Sequence, residues 1–324
     1  MTTGSTACGG DAADNLRACA SDTLGVPIDF SALRGKDSTH SLVFGGGGLY
    51  FIAWHFGLLE GLAERGIDVS RADRVIGTSA GGVAGALLCT GRLRFMSTWL
   101  GTLLTLGPVN SALGSSTMTP SAQRAYDLGV ANDGSPESVK AIGRAALAAV
   151  IPHPGTVRRI LRVCLGSGWP TTPLLVTATD CYTAERLVLG CGSTGLDRAV
   201  AASICIPGVY APQVIGDRHC MDGGIVGTAI HADLAAGATH VLVTSLDTDL
   251  TTAAQHAARR SEINALRASG STVCHIQATG VPDAMLMDAT AVPRALAEGR
   301  RAAQRHADEL IVGWRTGAVP PKTS

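Results

Sequence analysis

Apolar positions along this chain recur in two rhythms, and the two alternate. His40-Ser-Leu-Val-Phe44 is a short apolar, β-suited run that ends in four glycines, Gly45 to Gly48. From Phe51 to Arg65 apolar residues return at helical spacing (Phe51, Ala53, Trp54, Leu58, Leu62), and Gly66 stands where a helix C′ cap belongs. The unit then repeats. Arg74-Val-Ile76 predicts a strand, Gly77-Thr-Ser-Ala-Gly81 a tight turn, and Gly82 to Leu88 the start of a small-residue helix. Residues 92–170 read as mainly helical. A strand pair is expected at Leu174–Ala178 and Arg186–Leu189, with Asp180 in the turn between them. Helices follow at Leu196–Ser203, Thr251–Ser269 and Val292–Trp314, with strands at Thr239–Leu246 and Thr272–Gln277. Strands alternating with helices predict an α/β domain with a largely parallel sheet and helices on both faces. Residues 1–36 are polar, small and turn-rich, and predict an extension with one short helix around Ala12–Ser21. Residues 37–324 show no internal repeat and no second composition regime, so a single domain is expected.

Charge narrows the functional classes. The 26 basic and 26 acidic residues cancel, and no Lys/Arg-rich patch stands out, which argues against nucleic acid and against a polybasic membrane anchor. The nine cysteines are odd in number and scattered without a C-x-x-C pair. They are expected to be mostly small buried hydrophobes in a reducing compartment. Met1 to Gly25 lacks a basic start followed by an apolar run, so no signal peptide is read there and a cytoplasmic location is expected. No clustered His/Cys/Asp ligand spacing is visible, and neither a metal nor an organic cofactor is expected.

Three glycine-bearing elements carry the candidate chemistry. Gly77-Thr-Ser-Ala-Gly81 fits G-x-S-x-G, in which a strand reverses sharply into a helix and holds a serine at the apex. Ser79 would then sit at a helix N-terminus, where the dipole favours developing negative charge. With 40 glycines in the chain, a chance match is common, and the strand before and helix after are what raise it. Gly45–Gly48 lacks the third glycine of a dinucleotide loop and the Lys-Ser/Thr of a Walker loop. An oxyanion hole, with bare backbone amides facing a tetrahedral intermediate, and a plain helix-entry turn both remain open for it. Met221-Asp-Gly-Gly224 reads alone as a type I′ turn, but in third place after the other two it supplies a base for Ser79. A conventional triad would need a late histidine. His231, His240, His256, His275 and His306 all follow Asp222, yet none occupies a recognisable catalytic loop.

In this order the three elements resemble the patatin-like phospholipase family. Gly46-Gly47-Gly48-Leu49-Tyr50-Phe51 corresponds to the family's G-G-G-x-[RK]-G loop, Gly77–Gly81 to its G-x-S-x-G and Asp222-Gly223-Gly224 to its D-G-[GA]. The stretches Leu58–Gly66 and Ala201–Gly208 are similar to the family's first helix and to the segment leading to the Asp strand, and the likeness covers roughly residues 40 to 250. The resemblance implies a three-layer α/β/α sandwich with a mostly parallel central sheet. It also implies a Ser–Asp dyad, Ser79 and Asp222, with the amides of Gly46, Gly47, Gly48 and Ala80 holding the oxyanion and no cofactor. The activity implied is cleavage of a phospholipid or other acyl ester through an acyl-enzyme, with transient contact at a membrane surface. Rival readings are an acyltransferase or thioesterase using the same dyad, and a non-catalytic binding protein. The last rests on Tyr50 and Phe51, which stand where the family carries a basic residue and a glycine; they are expected to form part of the pocket wall, the alternative being that both simply pack at the start of the first helix. Finally, Phe95 to Gln123 contains no charged residue. It is too short in apolar run for a membrane span and reads either as a buried core helix or as a lid over Ser79.

Overall fold

The computed structural model describes residues 39–105 and 118–314. The N-terminal extension read above, with its short helix around Ala12–Ser21, lies outside the described residues, as do residues 106–117 of the uncharged stretch.

Alternation of period two is visible in what each strand buries. In β1 (His40–Phe44) Leu42 and Phe44 join one apolar cluster while Val43 joins another. β2 (Arg74–Thr78) divides Val75 from Ile76, and β3 (Leu174–Asp180) divides Leu174 and Val176 from Leu175 in the same way. β7 (His240–Thr248) and β8 (Thr272–Val281) continue the pattern. A sheet that buries both of its faces must carry helices on both, which gives the three layers. One face is covered by α1 (Gly48–Ala63), α2 (Ala80–Cys89) and the terminal helix α9 (Val292–Trp314). The other is covered by α8 (Ala253–Ala268) and the turn of 3₁₀ helix Ala232–Ala235. Glycine lets α1 and α9 close together: a Cβ on Gly57 would lie 2.1 Å from the Leu296 carbonyl oxygen, and one on Gly299 2.1 Å from that of Trp54.

The helical region 92–170 consists of α3 (Leu93–Thr105), α4 (Pro120–Val130), α5 (Pro136–Ala148) and α6 (Thr156–Leu165). Asp180 ends β3 rather than lying in the following turn; its carboxylate accepts the amides of Tyr182 and Thr183 at 2.7 and 2.9 Å and so fixes that turn. β4 (Arg186–Leu189) returns antiparallel, and α7 spans Leu196–Ser203. A hairpin absent from the pattern reading follows, β5 (Gln213–Ile215) and β6 (Arg218–Asp222). Both strands are short, and Arg218-His-Cys-Met-Asp222 shows no alternation to betray it.

β3, β2, β1, β7 and β8 run parallel side by side, and β4 and β6 pair antiparallel with β3. The register fixes a detail that decides the site. β2 pairs with β3 up to Thr78–Thr177, and β6 pairs with β3 from Asp222–Ala178 onward. Because β4 already occupies the opposite edge of residues 176–179, β2 and β6 share one edge of β3 and approach each other end to end. The C-terminal ends of two distant strands therefore meet at neighbouring positions on a third.

Candidate active site

Ser79 occupies the apex between β2 and α2 with φ 51°, a left-handed conformation rare for a serine and costly unless the surroundings enforce it. The flanking glycines are what permit it. A Cβ on Gly77 would lie 2.6 Å from the Gly81 carbonyl oxygen, and one on Gly81 would lie 1.9 Å from that of Phe44. The Ser79 amide donates to Ser203 Oγ at 2.8 Å, so the last residue of α7 clamps the turn from outside. The side chain is almost wholly buried, and its Oγ donates to Asp222 Oδ2 at 2.7 Å.

Asp222 arrives at the end of β6, where Thr179 Oγ1 donates to its carbonyl at 2.9 Å and its amide donates to the Cys205 carbonyl at 2.9 Å. Its second carboxylate oxygen accepts the Gly224 amide at 2.7 Å. Gly223 must be glycine, since a Cβ there would stand 2.4 Å from the Thr177 carbonyl oxygen. Burial pushes the Asp222 carboxyl up from 3.8 to about 6, against the lowering pull of the hydrogen bonds from Ser79 and Gly224. A carboxylate so placed is a stronger base than an exposed one and still ionised at neutral pH.

The glycine loop lies beside this pair, with Gly46 so near that a Cβ on it would be 3.4 Å from Ser79 Cβ. Gly45 anchors it: its amide donates to Thr244 of β7 and its carbonyl accepts the Gly81 amide at 3.1 Å, tying loop to elbow. Thr244 Oγ1 in turn meets Nε2 of the fully buried His55 at 2.8 Å, and burial lowers that imidazole to about 3, so it is neutral. The Gly46 amide is engaged by the Ala229 carbonyl at 3.1 Å. The amides of Gly47, Gly48 and Ala80 have no acceptor among the described residues. Gly48 takes φ 64°, and a Cβ on it would meet the Leu286 carbonyl oxygen at 2.6 Å.

Tyr50 and Phe51 correct an expectation. Both are fully buried in the packing of α1 rather than set in a pocket wall. Phe51 packs at a tilt against Trp54 and His55, and the Tyr50 hydroxyl donates to Glu298 of α9. In α3, by contrast, Leu93 and Met96 face inward while Phe95 and Trp99 are 64% and 47% exposed, so these two aromatics are not core.

No described histidine is hydrogen-bonded to Ser79 or Asp222. His231 comes nearest in structure to a role: its Nε2 is 3.0 Å from the Gly223 carbonyl, which can only accept, so Nε2 carries the proton and Nδ1 faces Arg186. Burial, then Arg186, lowers it to about 4, which makes it a neutral prop behind the Asp222 turn. His240 stacks on His40, His256 pairs with Asp247, His275 bonds Ser245 and His306 bonds Glu309. Ser203 and Thr179 are supporting residues that sequence reasoning missed, whereas His231 was named there among the late histidines. Ser203 lies within the family-like stretch Ala201–Gly208, but a lone serine ending a helix carries no signal of what it will touch.

Residues 42–235, well over half of the chain, match the family model described as Patatin-like phospholipase. NTE family proteins of Mycobacterium tuberculosis and Mycobacterium bovis are 28% identical over 204 residues, 63% of this chain and 48% of theirs. The chain thus spans about half the length of the curated relatives it matches. Among solved structures it is similar to VipD from Legionella pneumophila, at 13% identity and TM-score 0.45, over 86% of this chain and 67% of VipD. It is also similar to a chain of the ExoU–SpcU complex from the type III secretion system of Pseudomonas aeruginosa. That likeness has 15% identity and TM-score 0.39, over 86% of this chain and 52% of the other.

Proposed function

Because the chain belongs to the patatin-like phospholipase family, we propose that it is a serine-dependent lipid acyl hydrolase in which Ser79 and Asp222 act as a two-residue catalytic unit. The observation that carries this reading is the 2.7 Å hydrogen bond from Ser79 Oγ to a buried carboxylate whose pKa is pushed to about 6. In the first step Asp222 accepts the hydroxyl proton as Ser79 Oγ attacks the ester carbonyl carbon. The oxyanion is received by the free amides of Gly47, Gly48 and Ala80, with Gly46 supporting the loop through Ala229. The proton then passes from Asp222 to the leaving alkoxide, which departs as the alcohol and leaves an acyl-Ser79 ester. A water, deprotonated by the same carboxylate, attacks that ester and releases the acid, returning the proton to Ser79.

The substrates proposed are phospholipids or other long-chain acyl esters, met at the surface of a lipid aggregate. Support for that contact comes from α3, which leaves the nucleophile helix directly and turns Phe95 and Trp99 outward beside the exposed Arg92 and Arg94. No helix among the described residues is long and apolar enough to cross a membrane. The non-catalytic reading rests on Tyr50 and Phe51, both of which are buried in the packing of α1. A screen of p-nitrophenyl esters and phospholipid vesicles, with fluorophosphonate labelling of Ser79, tests the proposal. Absence of both turnover and labelling would overturn it, and transfer to an added alcohol in preference to water would make the protein an acyltransferase.

A further inference from the structure

β8 is the edge strand of the sheet, and its third residue, Cys274, points into the face covered by α9. Two polar side chains on that helix, His306 and Glu309, stand one turn apart and face the same point. Ligand atoms of Cys274, His306 and Glu309 all lie within 4.8 Å of one another, and His306 Nδ1 is 3.2 Å from Glu309 Oε2. Among the described residues no other group of three such side chains converges in this way. Cys274 is only 6% exposed, His306 is partly buried and Glu309 reaches solvent, so the group is seated in the protein at one end and open at the other.

We propose that Cys274, His306 and Glu309 form a zinc site that clips the terminal helix to the edge of the sheet. Thiolate, imidazole and carboxylate are the donor types zinc takes, and one of each with two negative charges balances a divalent ion. Ligands at 2.0–2.3 Å from a tetrahedral ion lie ~3.5 Å apart, against a spread of at most 4.8 Å among the three ligand atoms here. Binding replaces the thiol proton with the metal, so one proton is released for each ion bound.

The site is separate from the dyad. Through the register Cys274 aligns with Leu242, Leu42 and Val75, three strands across the sheet and four residues before Ser79. At ~4.8 Å per strand and ~3.3 Å per residue this separates the two by roughly 20 Å. The ion is thus assigned a structural role, and its occupancy is readable without any assay of catalysis. The 31 residues between Cys274 and His306 are why no ligand spacing is visible in the chain.

The test uses the full chain stripped with EDTA and titrated with Zn²⁺ or Co²⁺ alone. One ion per chain is expected, with a thiolate-to-cobalt charge-transfer band and a melting temperature several degrees higher when zinc is present. Cys274→Ser should abolish the band. His306→Asn and Glu309→Gln, both at partly or fully solvent-facing positions where folding is secure, should each weaken zinc binding at least 10-fold and remove the thermal gain. Unchanged short-chain ester turnover below the melting temperature is expected in all forms. A band that persists in Cys274→Ser, a thermal gain that persists in the helix variants, or no stoichiometric binding by the parent protein would overturn the proposal.

Discussion

Ser79 and Asp222 are 143 residues apart, yet their side chains meet at 2.7 Å because the strands that carry them end at consecutive residues of β3, Thr177 and Ala178. Thr78 Oγ1 and Thr177 Oγ1, 2.7 Å apart, brace one side of the junction, and Thr179 Oγ1 bonded to the Asp222 carbonyl braces the other. Ser79 and Asp222 are thereby held at the meeting ends of two strands. If the two act as one unit, removing either should cost nearly as much as removing both. Ser79→Ala and Asp222→Asn are each expected to lower kcat for p-nitrophenyl esters by at least ~1000-fold, with the double variant little worse. Retained activity in Asp222→Asn, with equal damage from His231→Ala, would transfer the base to the histidine.

If Asp222 is the base, its raised pKa makes activity and stability move in opposite senses with pH. Activity requires the carboxylate, so kcat/KM should rise as pH increases through about 6 and level off above. The folded state binds the Asp222 proton more tightly than the unfolded chain. Stability from this group is therefore full below 3.8 and is lost as pH rises to about 6. Asp222→Asn, which keeps the hydrogen-bonding shape without the buried charge, should accordingly be more stable than the parent at pH 8 by at most about 3 kcal/mol. At pH 4 the difference should nearly vanish. Urea denaturation at the two pH values measures it.

Ser203 is a positioning residue whose hydroxyl accepts the amide of the strained Ser79. Ser203→Ala leaves that buried N–H unpaired, a loss of about 1–3 kcal/mol. Slower fluorophosphonate labelling and a roughly 10-fold lower kcat are expected, with the pH midpoint unmoved because Asp222 is untouched. A normal labelling rate at a reduced melting temperature would reduce Ser203 to ordinary packing.

Replacing Tyr50 and Phe51 tests their place in the core. Phe51→Gly removes a fully buried ring and adds a helix-interior glycine, together costing roughly 4–6 kcal/mol, while Tyr50→Arg forces a charge into the contact with Glu298. A large fall in melting temperature with unaltered chain-length preference is expected. A change in substrate preference at constant stability would return both residues to the pocket wall.

Phe95 and Trp99 make the opposite case. Being exposed, they should be replaceable by serine with little change in melting temperature. Turnover of long-chain esters in vesicles should fall several-fold in the double variant while soluble short-chain esters are spared. Equal loss on both would remove α3 from lipid contact.

Much of this protein is legible in its sequence because the deciding forces are local. Steric exclusion of Cβ writes Gly77, Gly81 and Gly223 into the chain, and the demand of both sheet faces for cover writes the apolar period of β1, β2, β3, β7 and β8. The terminal helix and α7 are read from pattern to the residue, Val292–Trp314 and Leu196–Ser203, since helical periodicity accumulates over several turns. What the sequence left open depends on distance across the fold. Which amides of the Gly45–Gly48 loop stay free was decided by the Ala229 carbonyl taking that of Gly46. The burial of Tyr50 was decided by α1 packing against α9, and the hairpin β5–β6 joins the sheet through the edge of β3. The grouping of Cys274 with His306 and Glu309 belongs to the same class. Each of these is a contact between residues far apart in the chain, and such contacts leave no period, cap or spacing for a sequence to show.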